Sequence, residues 1–139
     1  MTRLRPVILK VYVEHLMAAG DATTAEPLLR EGLKYQWDND LVALYGELET
    51  ANTSQQISYA ENWLKSPEKD PVLLQTLGQL CLRNRLREKA QQYLEESVNL
   101  ESSPKIYQLL GELSTQKGEP AQASKYYRRG LQLALEEFS

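Results

Sequence analysis

Apolar residues recur along this chain three or four positions apart, the spacing of helices that bury one face, and short polar stretches carrying glycine or proline interrupt them. From Pro6, suited to a helix's first turn, Val7, Leu9, Val11, Val13 and Leu16 supply an apolar surface up to Ala18, and Gly20-Asp21 breaks it. Ala25, Leu28, Leu29 and Leu33 keep helical spacing up to Asp38-Asn39-Asp40, with Thr23 or Thr24 as cap. A third helix is expected from Leu41 to Ala51. A fourth begins at Asn52-Thr53-Ser54 and is cut off by Pro67 soon after Trp63 and Leu64. Asp70-Pro71 and Ser103-Pro104 read as caps followed by first-turn prolines, opening helices that run to about Arg83 and through the centre at Gly111. Between them lies Arg87 to Leu100. Gly118-Glu119-Pro120 turns the chain into a last helix from Ala121 to about Glu136. No useful length alternates apolar and polar residues as a strand would.

One pattern in this helical series is written twice. Leu74, Leu77, Gly78, Cys81, Ala90 and Leu94 recur 33 positions later as Tyr107, Leu110, Gly111, Ser114, Ala123 and Tyr127. This is the tetratricopeptide skeleton. A small residue at the centre of the first helix and an alanine early in the second let two antiparallel helices approach closely, and the bulky positions fill the space between hairpins. The pattern predicts an all-α, right-handed α-solenoid of about four hairpins and eight helices, a single domain over residues 1–139 with hairpins at about 6–37, 38–69, 70–103 and 104–138. The first is degenerate, with Val13 in the glycine's place and Ala25 in the alanine's. In the second, Gly46 lies 32 residues before Gly78 but Ala60 arrives two positions late, so an irregular hairpin is expected. At the end of the solenoid, Leu135 and Phe138 are expected to fold back over the fourth hairpin, extending the register of Ala123, Tyr127, Gly130 and Leu131.

A net charge of -3 and a sequence pI near 5.3 argue against a general nucleic-acid binder, which needs a basic face for phosphates. One cysteine and one histidine exclude an internal disulfide and a Cys/His zinc site. No apolar run approaches the roughly 18 to 20 residues that span a bilayer, and Met1 to Lys10 lacks the long apolar core of a signal peptide. The 7 glycines are scattered singly rather than clustered to cradle a phosphate. His15 has no Gly-x-Ser-x-Gly elbow to serve and reads as a partly exposed structural residue. Carboxylate pairs such as Glu95-Glu96 and Glu136-Glu137 fall on helix surfaces or a terminus, so no catalytic residue is assigned and the chain is read as a non-enzyme.

Stacking puts the first helices of successive hairpins on one binding face. Register from each central position places Lys10, Glu14 and Met17 there, then Ala43, Glu47 and Thr50, then Gln75, Gln79 and Arg83, then Gln108, Glu112 and Gln116. From these, with Arg85 of the adjoining turn, the partner-binding candidates are Lys10, Glu14, Glu47, Gln75, Gln79, Arg83, Arg85, Gln108 and Glu112. The face is polar and mixed in charge, without the lysines and asparagines with which tetratricopeptide domains clamp a C-terminal carboxylate. Beside it Arg83, Arg85, Arg87 and Lys89 form a basic turn opposed only by Glu88, a corner that could meet an acidic partner, a tetrapyrrole's propionates or lipid headgroups. Cys81 reads as a small buried filler; its alternative is a thiolate ligand to haem iron. The aromatics fall mostly at skeleton positions or helix ends, as packing residues.

Longer strings resemble one family. Trp37-Asp38 with Leu41-Val42-Ala43-Leu44-Tyr45-Gly46, Ala60-Glu61-Asn62-Trp63-Leu64, Leu77-Gly78-Gln79-Leu80-Cys81 through Arg83-Asn84 to Ala90, Tyr93-Leu94-Glu95, and Tyr127-Arg128-Arg129-Gly130-Leu131 look like the C-terminal portion of the HemY-type proteins of proteobacterial haem-biosynthesis operons. That resemblance implies a longer parent with two N-terminal membrane helices absent from this chain, held in the bacterial inner membrane with its repeat domain on the cytoplasmic side. It implies a scaffold for other proteins, haem-biosynthesis enzymes among them. The alternative is a haem or porphyrin carrier using Arg83, Arg85 or Arg87 for propionates and Cys81 or a tyrosine for iron.

Overall fold

The computed structural model describes residues 4–65 and 69–137, and the described residues are helical with connecting turns. In chain order the helices are α1 (Leu4–Ala18), α2 (Ala22–Tyr35), α3 (Asn39–Glu47), α4 (Thr53–Asn62), α5 (Pro71–Arg83), α6 (Arg87–Leu100), α7 (Pro104–Gln116) and α8 (Pro120–Glu136). One 3-10 turn, Trp63–Lys65, follows α4. Pro67, expected to cut off the fourth helix, lies outside the described residues.

Helix starts follow the side-chain chemistry of the sequence. The carboxylates of Asp38 and Asp70 accept from the N–H groups of Leu41 (3.1 Å) and Val72 (2.8 Å), and Asn52 and Ser103 do the same for Gln55 (3.0 Å) and Ile106 (3.1 Å). At α2 the cap is Asp21, which accepts from Thr24 N–H at 3.2 Å, rather than either threonine. Asp21 leaves the preceding turn already positioned for this. That turn closes with Asp21 N–H on Leu16 C=O and Gly20 N–H on Met17 C=O, the doubled bond of a left-handed helix stop. The same pair of bonds ends α5, from Leu86 to Cys81 and Arg85 to Leu82, and α7, from Glu119 to Ser114 and Gly118 to Thr115. Gly20 and Gly118 take φ 76 and 75; Arg85, in the equivalent place, is forced to φ 57.

Within α5/α6 and α7/α8 the approach at the glycines is close. A Cβ on Gly78 would sit 2.3 Å from Leu94 Cδ2, and one on Gly111 would sit 2.4 Å from Tyr127 Cε1. Ala90 and Ala123 are buried beside them. Leu74, Leu77, Leu80, Leu94, Ile106 and Leu109 are enclosed in a core that continues through Leu41, Tyr45 and Leu48 to Val13, Ala25 and Leu29. The all-α stack of helical hairpins read from the sequence is therefore the observed architecture.

Three expectations are corrected. The third helix ends at Glu47, not Ala51, and α3 does not pack as a close pair with α4; both lie on α5. Ser58, which stands where a regular repeat puts its alanine, is exposed, and α4 has turned to bury Gln56, Ile57 and Ala60 instead. On α1 only one side of the apolar surface is used. Val13 and Leu16 are buried, whereas Val7 and Val11, with Ile8 and Tyr12 alongside, are 49–65% exposed, because α2 and α3 cover a single face. The expected self-capping of α8 fails over the described residues: Leu131 and Leu135 remain 61% and 60% exposed. Phe138, the other half of that expectation, lies outside the described residues.

Candidate functional site

The first helices α1, α3, α5 and α7 contact one another in succession, so one face of each contributes to a common surface. Over α3, α5 and α7 this surface sinks into a polar groove of about 290 Å³ lined by Glu47, Glu49, Gln79, Arg83, Lys105, Gln108, Glu112 and Gln116, with Leu82 beneath. The register argument placed Glu47, Gln79, Arg83, Gln108, Glu112 and Gln116 on this face, and the structure brings those six together. Lys10 and Glu14 sit on α1 outside the groove, Lys10 half-buried and Glu14 exposed. Gln75 is turned toward the start of α7, where its carbonyl accepts from Ser103 Oγ at 3.2 Å. Arg85 is an exposed turn residue rather than a lining one.

Lys105 and Glu49 were missed. Lys105 precedes Gln108 by three residues and so shares its helix face, a legible signal overlooked because it falls in the first turn after Pro104. It reaches from α7 across α5 to pair with Glu47 of α3 at 2.9 Å, a strut over the groove. Burial alone would raise the Glu47 pKa, but hydrogen bonds from Lys105 and Gln79 outweigh it and hold the carboxyl below its ordinary value. Glu49 fell within the expected third helix but off the Glu47 face; because α3 ends at Glu47, it lies in the link that follows and reaches the groove from there.

Arg83 is not the free cation the sequence suggested. Its guanidinium donates to Gly46 C=O at 2.7 Å and Leu48 C=O at 3.0 Å, capping the last carbonyls of the shortened α3, with Glu49 3.7 Å away. Leu48 C=O also accepts from the buried Gln56 amide at 3.0 Å. Burial depresses the Arg83 pKa against the opposing pull of Glu49 and Glu47. Lys89 of the basic turn is likewise engaged, paired at 2.9 Å with Glu61, whose carboxylate also accepts a very short hydrogen bond from the Tyr93 hydroxyl.

Donors in the groove are used and acceptors are left over. Gln108 Nε2 donates to Glu112 at 3.2 Å and Gln116 Nε2 to Leu82 C=O at 3.3 Å. That last bond fixes the Gln116 amide orientation and leaves its Oε1 enclosed, with no hydrogen-bond partner among the described residues.

Cys81 is fully enclosed in the core, and burial pushes its thiol up to about 11. A protonated, solvent-excluded thiol fills the space between helices; it presents no thiolate to an iron. Trp37 and Trp63, read as packing residues, meet edge to face at 5.9 Å and wall a larger cavity of about 510 Å³ at the hairpin links, with Trp37 Nε1 donating to Asp70 at 3.1 Å. Among the described residues no three His, Cys, Asp or Glu side chains converge to hold a metal, and no helix is long and apolar enough to cross a membrane.

The tetratricopeptide repeat family matches residues 104–137. Over 97% of its length the chain is 26% identical to Protein HemY of Escherichia coli strain K12, and to the same degree to Protein HemY of Shigella flexneri. The resemblance read from the sequence is thereby upheld. The chain spans about a third of the length of these relatives, 34% of each.

Proposed function

We propose that this chain is a non-catalytic scaffold that holds other proteins in the groove over α3, α5 and α7. The observation that supports this best is the groove itself: a polar trough built from three successive first helices, one wall held by the Arg83 cap and its two sides tied by the Glu47–Lys105 strut. Rigid side chains at a recognition face lower the ordering cost of binding. Similarity to HemY extends the reading. The partners would be proteins of haem synthesis, and the parent a longer inner-membrane protein with this single repeat domain on the cytoplasmic side. The carrier alternative is weakened by the enclosure of Cys81, which removes one of its two choices of iron ligand and leaves only a tyrosine.

Site-specific photocrosslinking in producing cells tests the scaffold. A benzophenone side chain at Gln108, exposed in the groove, should give discrete protein adducts that the same group at Gln92, exposed on α6 away from it, does not. Equal adducts at both positions, or none at Gln108, would remove the groove as the binding face. Haem titration separates the alternative: a Soret shift abolished by Cys81→Ser would restore a tetrapyrrole reading.

A further inference from the structure

Building on the groove as the binding face, we infer that its ligand is a basic, donor-rich polypeptide segment, the opposite polarity to the acidic partner that the Arg83–Lys89 turn first suggested. The argument rests on how the groove's polar atoms are already used. Each of its two cations is engaged within the fold: Arg83 on the carbonyls of Gly46 and Leu48, Lys105 on Glu47. An incoming carboxylate would compete with the carbonyls for Arg83 and with Glu47 for Lys105.

Apart from Glu47, which is held by Lys105, the groove's carboxylates are in the reverse position. Glu49 is 78% exposed, and its nearest cation, Arg83, stands at 3.7 Å while serving the carbonyls. Among the described residues Glu112 accepts from a neutral amide, that of Gln108, and pairs with no cation. Gln116 adds a carbonyl oxygen with no hydrogen-bond partner among the described residues; it is enclosed, and a donor in the groove meets it when the part-exposed side chain turns outward. The groove thus offers acceptors of negative and neutral kind and holds its donors in reserve for itself. Lysine or arginine side chains match the carboxylates, and backbone or side-chain N–H groups match the amide oxygen. Complementarity of this kind acts through specificity and association rate, so it should be screened by salt.

The test uses dye-labelled, unstructured dodecapeptides of Gly, Ser and Ala carrying four lysines, four glutamates or four glutamines, titrated by fluorescence anisotropy against the folded chain. The lysine peptide should bind. Glu112→Gln combined with Glu49→Gln should weaken it by about three- to tenfold, while Glu95→Gln with Glu88→Gln, the same charge change on exposed positions of α6, should leave it unaltered. Circular dichroism confirms that both variants fold. Equal weakening by the two variants would mean attraction to overall charge and would overturn the inference. Binding of the glutamate or glutamine peptide, lost on Gln108→Arg, would overturn it while leaving the groove as a binding face. No binding by any of the three peptides overturns it as well; joined to an absence of Gln108 crosslinks, that result takes the scaffold reading with it.

Discussion

The hairpins α5/α6 and α7/α8 and the stretch α3/α4 solve the same problem by different means. In the two regular hairpins a glycine without a side chain receives a bulky residue from the partner helix, Leu94 on Gly78 and Tyr127 on Gly111, and the contact is local and apolar. Gly46 occupies the same repeat position in α3, yet the atoms nearest a Cβ placed there are Gln79 Oε1 at 2.7 Å and Thr76 Cγ2 at 3.3 Å, both from α5. Polar side chains from neighbouring elements then hold α3: Arg83 and Gln56 on its terminal carbonyls, Thr76 Oγ1 on Val42 C=O at 3.0 Å, and Tyr45 donating to Glu26 at 2.7 Å. Where the repeat's small residue is displaced, directional bonds to backbone replace close apolar packing. The irregularity also shapes the groove, because the cap that ends α3 early is one of its walls.

The comparison breaks most sharply if the regular hairpins do not depend on their apolar contact. Leu94→Ala leaves a cavity against Gly78 in an enclosed core and should cost about 2–5 kcal/mol in urea unfolding; a loss under about 1 kcal/mol would contradict the packing described. Next comes the polar side. Arg83→Met leaves Gly46 C=O without its donor and should cost about 1–3 kcal/mol. Lys105→Met, which removes a part-exposed ion pair, should cost at most about 1 kcal/mol. Equal losses would mean that Arg83 acts as a surface charge and not as a cap.

The two glycines sharpen the picture further. Helix propensity favours alanine over glycine by about 1 kcal/mol, and overpacking opposes it by about 1–3 kcal/mol. Leu94 is fully enclosed and cannot yield, so Gly78→Ala should be net destabilising. Tyr127 is 43% exposed and its ring can swing aside, so Gly111→Ala should be close to neutral in thermal melts. The larger Gly111→Leu should still cost about 1–3 kcal/mol.

Smallest is a pH effect at Glu61. Burial pushes its pKa up, but the hydrogen bonds from Tyr93 and Lys89 outweigh this and hold it below the ordinary carboxylate value. The unfolded chain therefore takes up this proton at higher pH than the folded one. The contact's stability is present above the ordinary carboxylate range and is lost as pH falls through the lower folded value. With Glu61 one-third exposed, Glu61→Gln should flatten the acid side of the stability profile by only about 0.5 kcal/mol. An unchanged acid slope would separate Glu61 from acid unfolding.

By itself the sequence determined the succession of helices, the caps at Asp38, Asn52, Asp70 and Ser103, and the repeat. Helical periodicity and Asp, Asn or Ser at helix starts are local properties, and the 33-residue return of Gly78 and Ala90 as Gly111 and Ala123 needs no knowledge of distance in space. Six groove residues followed from the same register, because α5 and α7 repeat faithfully. The tertiary structure alone decided what those side chains are free to do. Arg83 reads as a surface cation until α3 ends early and puts the carbonyls of Gly46 and Leu48 within its reach. Lys105 and Glu47, 58 positions apart, become a pair only when α3 and α7 flank α5. Cys81 reads as filler with a ligand as its alternative, and the enclosing stack decides for the filler. Charge and hydrogen-bonding capacity are written in the residue type, but whether they are spent inside the fold or left for a partner depends on neighbours that only stacking supplies.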